Sequence, residues 1–256
     1  MDGIVFLHGI ARSARSLAIL EKALRADGYA TLNLDYPARS RCIADIVEAL
    51  QEKISRFADN CSGRVHFVTH SMGGLVARAY IARHRPARLG HVVMLAPPNE
   101  GSEIADLFGG NALYRAFFGP AGAELVTKRS EALCEVLGRV DYPLGVIAGD
   151  RSLDPLGWLL LPGANDGRVS VERTRVAGMA DHIVIHGTHT LIMNNPEAIA
   201  QVRHFLKHGR FARAEVESKA IRSQAEHRSS DPATATDTPP PCGEGKGWGS
   251  KSQGEP

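Results

Sequence analysis

Short β-rich runs alternate along this chain with longer segments that carry apolar residues at helical spacing. The predicted strands are 4–8, 31–36, 64–69, 91–96, 144–148 and 182–185. The predicted helices are 16–26, 43–57, 74–83, 124–137 and 196–207. Parallel neighbours need a long crossover rather than a tight hairpin, and helices supply it. The alternation therefore predicts an α/β fold, with a mostly parallel sheet covered by helices on both faces.

Length and composition predict one domain. The chain has 256 residues, 43% of them apolar, which is enough for a single sizeable core. After Phe211 the composition shifts, and Ser, Pro, Gly, Thr and charged residues dominate 222–256, which cannot offset their ordering entropy by burial. We expect an α/β domain at 1–211 and a disordered tail at 212–256. Within the domain, 97–122 is longer than an ordinary connection and is predicted to be an irregular, partial cover of the substrate pocket.

Charge and targeting signals argue against several classes of protein. Thirty basic and 28 acidic residues leave a formal charge of +2, too small a field to indicate nucleic acid as a partner. The N-terminus lacks a basic region followed by an apolar stretch and a cleavage site, so we expect a cytoplasmic location. No apolar run approaches the ~20 residues that a transmembrane helix needs.

The cysteines indicate neither a metal site nor a disulfide framework. Cys42, Cys61, Cys134 and Cys242 lie far apart and show no Cys-x-x-Cys spacing. We therefore predict free thiols.

The segment 65–77 reads Val-His-Phe-Val-Thr-His-Ser-Met-Gly-Gly-Leu-Val-Ala, an apolar strand, a five-residue turn and a helix that begins with small residues. A sharp strand-to-helix turn lifts its serine, Ser71, above the sheet edge, and nearby glycines let strand and helix approach closely. The helix N-terminus beneath favours negative charge at that point. Ser71 is therefore the predicted nucleophile. Thr69 stands where such turns usually carry a glycine, so the neighbouring strand must accommodate its branched side chain.

Attack by a serine creates an oxyanion that two fixed backbone N–H groups can stabilise. One donor is predicted to be Met72, directly after the nucleophile. The other comes from the loop after an early strand, where Phe6-Leu7-His8-Gly9-Ile10 supplies a strand end followed by His-Gly. The N–H of Ile10 is the predicted second donor.

Three histidines near the end of the domain are candidates for the base. His182 opens the last strand and His186 ends it, whereas His189 lies in the loop beyond its C-terminal edge, where sites in open α/β sheets gather. His189 is therefore the predicted base. A metal site of these histidines is not expected, because a strand and loop supply no tetrahedral ligand set.

The acid that orients the base must fall between nucleophile and histidine in chain order. Asp150, Asp154 and Asp166 all qualify. Asp150 directly follows the penultimate strand, the usual neighbourhood, whereas Asp166 stands in an Asp-Gly sequence that is also a common plain turn. These residues alone leave the alternatives open.

Taken together, the motifs resemble those of the minimal bacterial lipases and esterases of the α/β-hydrolase superfamily, which have a reduced number of N-terminal strands. The resemblance covers about residues 3–207 and rests on four stretches: His8-Gly9-Ile10, His70-Ser71-Met72-Gly73, Asp166-Gly167-Arg168-Val169 and Gly187-Thr188-His189-Thr190-Leu191-Ile192-Met193-Asn194. It implies Asp166 as the acid, with Asp150 as the alternative. It also implies a small-molecule or lipid-like carboxylic ester as substrate and requires no cofactor.

The expected function is hydrolysis of a carboxylic ester through an acyl-enzyme formed on Ser71. An acyltransferase or a thioesterase using the same residues is the alternative. A third hypothesis is a non-catalytic binding protein on this fold. The complete set of predicted site residues argues against it. The physiological substrate and the oligomeric state stay open.

Overall fold

In the computed structural model, which describes residues 1–153, 160–161 and 163–213, the apolar runs assemble into one parallel sheet. Its strands are β1 (Gly3–Leu7), β2 (Ala30–Leu34), β3 (Val65–His70), β4 (Leu89–Leu95), β5 (Leu144–Gly149) and β6 (Asp181–Ile185). They lie in the order β2-β1-β3-β4-β5-β6, each parallel to its neighbour. The predicted parallel sheet is confirmed.

Helices cover both faces of this sheet, also as predicted. They are α1 (Ala18–Ala26), α2 (Ile43–Asn60), α3 (Met72–His84), α4 (Glu103–Phe108), α5 (Ala112–Ala123), α6 (Glu131–Leu137) and α7 (Pro196–His208). Successive side chains of a strand point to opposite faces. In β1, Val5 and Leu7 join the core formed with α2, α3 and α6, whereas Ile4 and Phe6 join the core formed with α1 and α7.

Helix α2 shows how the sequence pattern becomes packing. The apolar positions of its predicted face, at 43, 46, 47, 50 and 54, are all buried. Burial of each such side chain contributes about 1.5–3 kcal/mol. Cys42 precedes the helix in an extended conformation, and its Sγ accepts a hydrogen bond from Asp45 N at 3.5 Å. The cap and the apolar face together define where this helix begins.

Two predictions for the middle of the chain were wrong. The stretch 97–122, expected to be irregular, contains α4 and most of α5. Asn111 caps α5 by accepting hydrogen bonds from two backbone N–H groups, and the helix is kinked at Gly119, just before Pro120. The helix expected over 124–137 begins only at Glu131, because Ser130 caps it there through Leu133 N. The side-chain caps Asn111 and Ser130 set where α5 and α6 begin, and the spacing of apolar residues does not reveal either start.

Helix α1 also begins later than expected, because a short 3-10 helix, Ala14–Leu17, precedes it. Residues Met1–Ala212 form one compact unit. Almost all of the tail predicted as disordered lies outside the described residues, as does Cys242, so those predictions stand as predictions. The other three cysteines are free. In the part of the chain that the structure describes, no helix combines the length and apolar character needed to cross a bilayer.

Candidate active site

Ser71 occupies a strained turn between the end of β3 and the start of α3. Its φ of 53° and ψ of −128° lie in a region that non-glycine residues rarely adopt. Such a conformation costs about 1–3 kcal/mol and persists only where the surroundings impose it. Here Ser71 N donates to Leu95 O at 2.8 Å, and Ser71 O accepts from Gly74 N at 2.9 Å. The turn is therefore held from both sides.

Close packing around this turn explains its small residues. A Cβ added at Gly73 would lie 2.2 Å from Leu7 O, so α3 can approach β1 only with glycine there. Thr69 is fully buried in β3, between Leu7 of β1 and Met94 of β4. Its hydroxyl finds no hydrogen-bond partner among the described residues. The sheet accommodates the branched side chain but leaves its oxygen unsatisfied.

The structure brings the predicted nucleophile, base and acid together. Ser71 Oγ lies 3.0 Å from His189 Nε2, within hydrogen-bond distance. On the other side of the ring, His189 Nδ1 lies 2.7 Å from Asp166 Oδ2. His189 N also donates to Asp166 O at 3.0 Å, which fixes the histidine loop to the aspartate turn. A continuous chain of hydrogen bonds thus runs from a buried carboxylate to the serine.

The turn that carries Asp166 satisfies every oxygen of its carboxylate. Oδ1 accepts from Arg168 N at 2.9 Å and from Val169 N at 2.8 Å, which leaves Oδ2 for His189. Gly167 makes this geometry available, since its φ of 93° is unfavourable for other residues. The Asp-Gly pair, which alone predicts only a turn, here aims a carboxylate at an imidazole.

The alternative candidates lie elsewhere. Asp150 Oδ1 accepts from His186 Nδ1 at 3.0 Å, in an exposed pair that makes no hydrogen bond to Ser71 within the described ranges. His182 Nε2 donates to Thr174 Oγ1 at 2.9 Å, and burial lowers the pKa of His182 to about 4. Asp154 lies outside the described residues. Within the described ranges, no group of three or more His, Cys, Asp or Glu side chains could hold a metal ion.

The two backbone groups predicted to bind the oxyanion are free to do so. Neither Ile10 N nor Met72 N donates a hydrogen bond within the described part of the chain. The loop before Ile10 is held by His8, whose Nδ1 donates to Gly9 O at 2.8 Å and whose ring stacks on Tyr36 at 4.2 Å. The Tyr36 hydroxyl in turn donates to His8 O.

His70 has a contact that the sequence did not reveal. Its Nε2 donates to the carbonyl oxygen of His189 at 2.9 Å, which ties the elbow to the histidine loop. Burial, and then the charge of His189, lower the pKa of His70 well below its ordinary value, so the ring stays neutral. His70 was visible in the motif, but its partner lies 119 residues away and no local pattern indicated it.

A cavity of about 470 Å³ opens above Ser71. Much of its wall comes from α4, α5 and the turn that follows, including Ile104, Phe108, Tyr114, Phe118 and Leu125. Ser102 also lines it and donates through Oγ to Arg168 O at 2.8 Å, which links the segment before α4 to the Asp166 turn. The stretch 97–122 therefore shapes the space over the serine.

Comparison with known proteins agrees with this fold. Residues 4–202 match the alpha/beta hydrolase family. The mature lipase BlEst2 of Bacillus licheniformis is 19% identical, with a TM-score of 0.67 over 81% of this chain and 91% of that one. A metagenomic carboxyl esterase is 17% identical, with a TM-score of 0.58 over 75% and 65%.

Phospholipase PlaB of Legionella pneumophila is 20% identical, with a TM-score of 0.53 over 68% of this chain and 46% of that one. These likenesses show a shared fold. No curated protein matches the chain by sequence.

Proposed function

Because the chain belongs to the alpha/beta hydrolase family, we propose that it is a serine esterase that cleaves carboxylic esters through an acyl-enzyme. The observation that carries this proposal is the chain of hydrogen bonds at the cavity floor, from Asp166 through His189 to Ser71. Nucleophile and base within reach of each other, with a third group orienting the base, is the arrangement that activates a serine hydroxyl.

In the first half of the reaction, Ser71 Oγ attacks the ester carbonyl carbon and His189 Nε2 takes the serine proton. The carbonyl oxygen becomes an oxyanion, which the N–H groups of Ile10 and Met72 stabilise. When the carbon–oxygen bond to the alcohol breaks, His189 returns its proton to the leaving oxygen. In the second half, His189 takes a proton from the water that attacks the acyl carbon. It returns this proton to Ser71 Oγ when the bond between Oγ and the acyl carbon breaks and the acid leaves.

Asp166 acts through His189 rather than on the substrate. Its carboxylate accepts a hydrogen bond from Nδ1–H, so Nε2 presents its lone pair to Ser71 and the imidazolium formed during attack is stabilised. Backbone donors hold Asp166 before substrate arrives, so its orientation needs no rearrangement.

The cavity favours an apolar acyl chain. Half-buried aromatic side chains of α4 and α5, namely those of Phe108, Tyr114 and Phe118, stand over the site. We propose that 97–122 is a partial cap of a domain spanning 1–211. An acyl chain placed against these rings removes apolar surface from water, at about 25 cal/mol per Å².

A fluorophosphonate probe and chromogenic esters test this function. We expect covalent labelling of the folded wild type and none of Ser71→Ala, with hydrolysis falling at least about 10⁴-fold. The variant keeps Ser102, which also lines the cavity, so label that persists would contradict the assignment to Ser71. We also expect a higher kcat/KM for p-nitrophenyl octanoate than for the acetate; the reverse order would contradict the lipid-like acyl group.

A further inference from the structure

The loop that carries the base is held by two different segments of the chain. On one side, His189 donates to Asp166 through its backbone N–H at 3.0 Å and through Nδ1 at 2.7 Å. On the other side, the carbonyl oxygen of His189 accepts a hydrogen bond from His70 Nε2 at 2.9 Å. Among the described residues, no other group donates to that oxygen. The second anchor therefore depends on one side chain, which directly precedes Ser71.

The protonation state of the His70 ring suits this hydrogen bond. The residue is only 2% exposed, and burial, followed by the charge of His189, lowers its pKa well below the ordinary value. A neutral imidazole carries one N–H, and it lies on Nε2, because the carbonyl oxygen that faces Nε2 can only accept. Since the ring is neutral, it places no net charge beside the imidazolium that forms on His189 during attack.

The opposite edge of the same ring lies against the oxyanion loop. A Cβ added at Gly9 would lie 3.1 Å from His70 Nδ1 and 3.1 Å from Ser71 Cβ. The Nδ1 atom is buried and has no hydrogen-bond partner within the described ranges. The ring of His70 thus fills the space between the oxyanion loop and the base loop, and its only described hydrogen bond is directed at the base loop.

The position of the base relative to the serine limits how readily the proton is transferred. Ser71 Oγ and His189 Nε2 are 3.0 Å apart, and the rings of His70 and His189 pack with their centroids 4.9 Å apart. A misplacement of about 1 Å between reacting groups can cost roughly 10²-fold in rate. Because His70 and Ser71 are neighbours in the chain, a hydrogen bond from His70 couples the base loop directly to the nucleophile.

We infer that His70 is a positioning residue of the proposed reaction, whose Nε2–H holds the carbonyl group of His189 and so keeps the imidazole within reach of Ser71 Oγ. This inference rests on the proposed esterase function and adds a fourth side chain to its machinery. His70 acts through His189 and transfers no proton itself. Its removal should therefore lower kcat and leave KM almost unchanged.

Two substitutions of similar length separate the hydrogen bond from the volume of the side chain. His70→Gln places an amide N–H near the position of Nε2, whereas His70→Met fills similar space without a donor. For p-nitrophenyl octanoate, we expect kcat to fall about 10- to 100-fold in His70→Met and less than about 3-fold in His70→Gln, with KM within about 2-fold of wild type in both. Equal losses of kcat in the two variants would overturn the inference.

His66 provides a matched control on the same strand. It lies near the start of β3, whereas His70 ends that strand, and it is also 2% exposed. Its Nδ1 accepts a hydrogen bond from His91 N at 2.8 Å. We expect His66→Met to lower the thermal unfolding midpoint but to leave kcat within about 2-fold of wild type, because its lost contact lies away from the site. A loss of kcat equal to that of His70→Met would indicate general damage and overturn the inference.

A double-mutant cycle tests whether His70 acts through the base. In the His189→Gln background there is no imidazole to position, so His70→Met should lower the residual rate by less than about 2-fold. Single-turnover experiments at high enzyme concentration measure this residual rate. A further loss as large as the one that His70→Met causes in the wild-type background would show that His70 supports the site in another way, and would contradict the proposed role.

A second variant keeps the test decisive if His70→Met does not fold. His70→Asn retains an amide, but this side chain is too short to reach the carbonyl oxygen of His189, so the same loss of kcat is expected; a wild-type kcat would overturn the inference. Failure of the esterase function itself looks different. In that case the wild type hydrolyses neither p-nitrophenyl ester and Ser71 takes up no fluorophosphonate.

Discussion

Two histidine–aspartate pairs lie beyond the last two strands of the sheet, and they differ in their surroundings rather than in their chemistry. His189 Nδ1 and Asp166 Oδ2 are 2.7 Å apart, with side chains 14% and 0% exposed. His186 Nδ1 and Asp150 Oδ1 are 3.0 Å apart, with side chains 69% and 36% exposed. The first pair continues to Ser71, whereas the second has no such third member in the part of the chain that the structure describes.

The comparison shows what makes such a pair useful. An exposed ion pair is screened by water and contributes about 0–1 kcal/mol. A carboxylate withdrawn from water and held by backbone N–H groups keeps one orientation, and a histidine bound to it presents a defined nitrogen to the serine. Burial and prior hydrogen bonding, rather than the residue types, distinguish the pair around Asp166.

The largest expected effect separates the two histidines. We expect His189→Gln to lower kcat for p-nitrophenyl octanoate by about 10⁴- to 10⁶-fold, because the base is lost. His186→Gln, the matched control, should change kcat by less than about 2-fold, since surface substitutions rarely perturb a fold. Steady-state kinetics on folded variants measures both. Losses of similar size in the two variants would erase the proposed distinction.

The two aspartates should differ in the same sense. Asp166→Asn can still accept from the backbone through its amide oxygen, but the amide nitrogen that then faces His189 cannot accept a hydrogen bond from Nδ1–H. We therefore expect kcat to fall about 10⁴-fold, by analogy with serine proteases. Asp150→Asn should stay within about 2-fold of wild type. A greater loss in Asp150→Asn than in Asp166→Asn would reassign the acid.

A third histidine, His182, lies at the opposite end of β6, and we expect it to affect folding stability rather than catalysis. Burial lowers the pKa of His182 from 6.5 to about 4, so the folded state disfavours its protonation. The neutral His182 ring contributes to the free energy of unfolding above pH 6.5. This contribution is lost as the pH falls toward 4, because the unfolded chain takes up the proton at a higher pH than the folded chain does. Allowing for partial solvent screening, we expect a loss of about 1–2 kcal/mol.

Chemical denaturation between these two pH values measures that loss as a free energy of unfolding. His182→Gln should show a flatter pH dependence, since glutamine does not titrate and its amide can still donate to Thr174. An unchanged slope would mean that His182 titrates alike in both states.

The smallest expected effect concerns the strand beneath Ser71. Unlike Asp166, whose oxygens are all engaged, Thr69 buries a hydroxyl without a partner among the described residues. Thr69→Val keeps the shape and removes that oxygen, so we expect the free energy of unfolding to rise by about 1 kcal/mol. Equilibrium denaturation measures the change. Thr174→Val is the opposite control: the Thr174 hydroxyl donates to Val171 O, so its removal should lower the free energy of unfolding.

Most of the fold could be predicted from the sequence because its signals are local. The apolar face of α2 and the alternation of strands and helices depend on neighbours a few residues apart, and both were confirmed. The stretch 97–137 was the exception. Its helices begin at the side-chain caps Asn111 and Ser130, which a reading based on apolar spacing overlooked.

The candidate site divides in the same way. The elbow at Ser71 and the loop at Ile10 could be identified because each motif lies within one short turn. The acid could not be chosen from the residues alone: Asp150 and Asp166 both follow β5 in chain order, and resemblance to other hydrolases favoured Asp166. The contact between His70 and His189 left no trace in the local sequence.

The sequence by itself determined the alternation of strands and helices outside 97–137, the sharp turn at Ser71 and the chemical types available for the site. Only the tertiary structure decided which aspartate meets His189, which histidine stays at the surface, and that Arg12 and Arg168 share a cavity with Ser71. The physical reason is range. Helix caps and apolar periodicity act over a few residues, whereas burial of a carboxylate depends on loops brought together by the whole sheet.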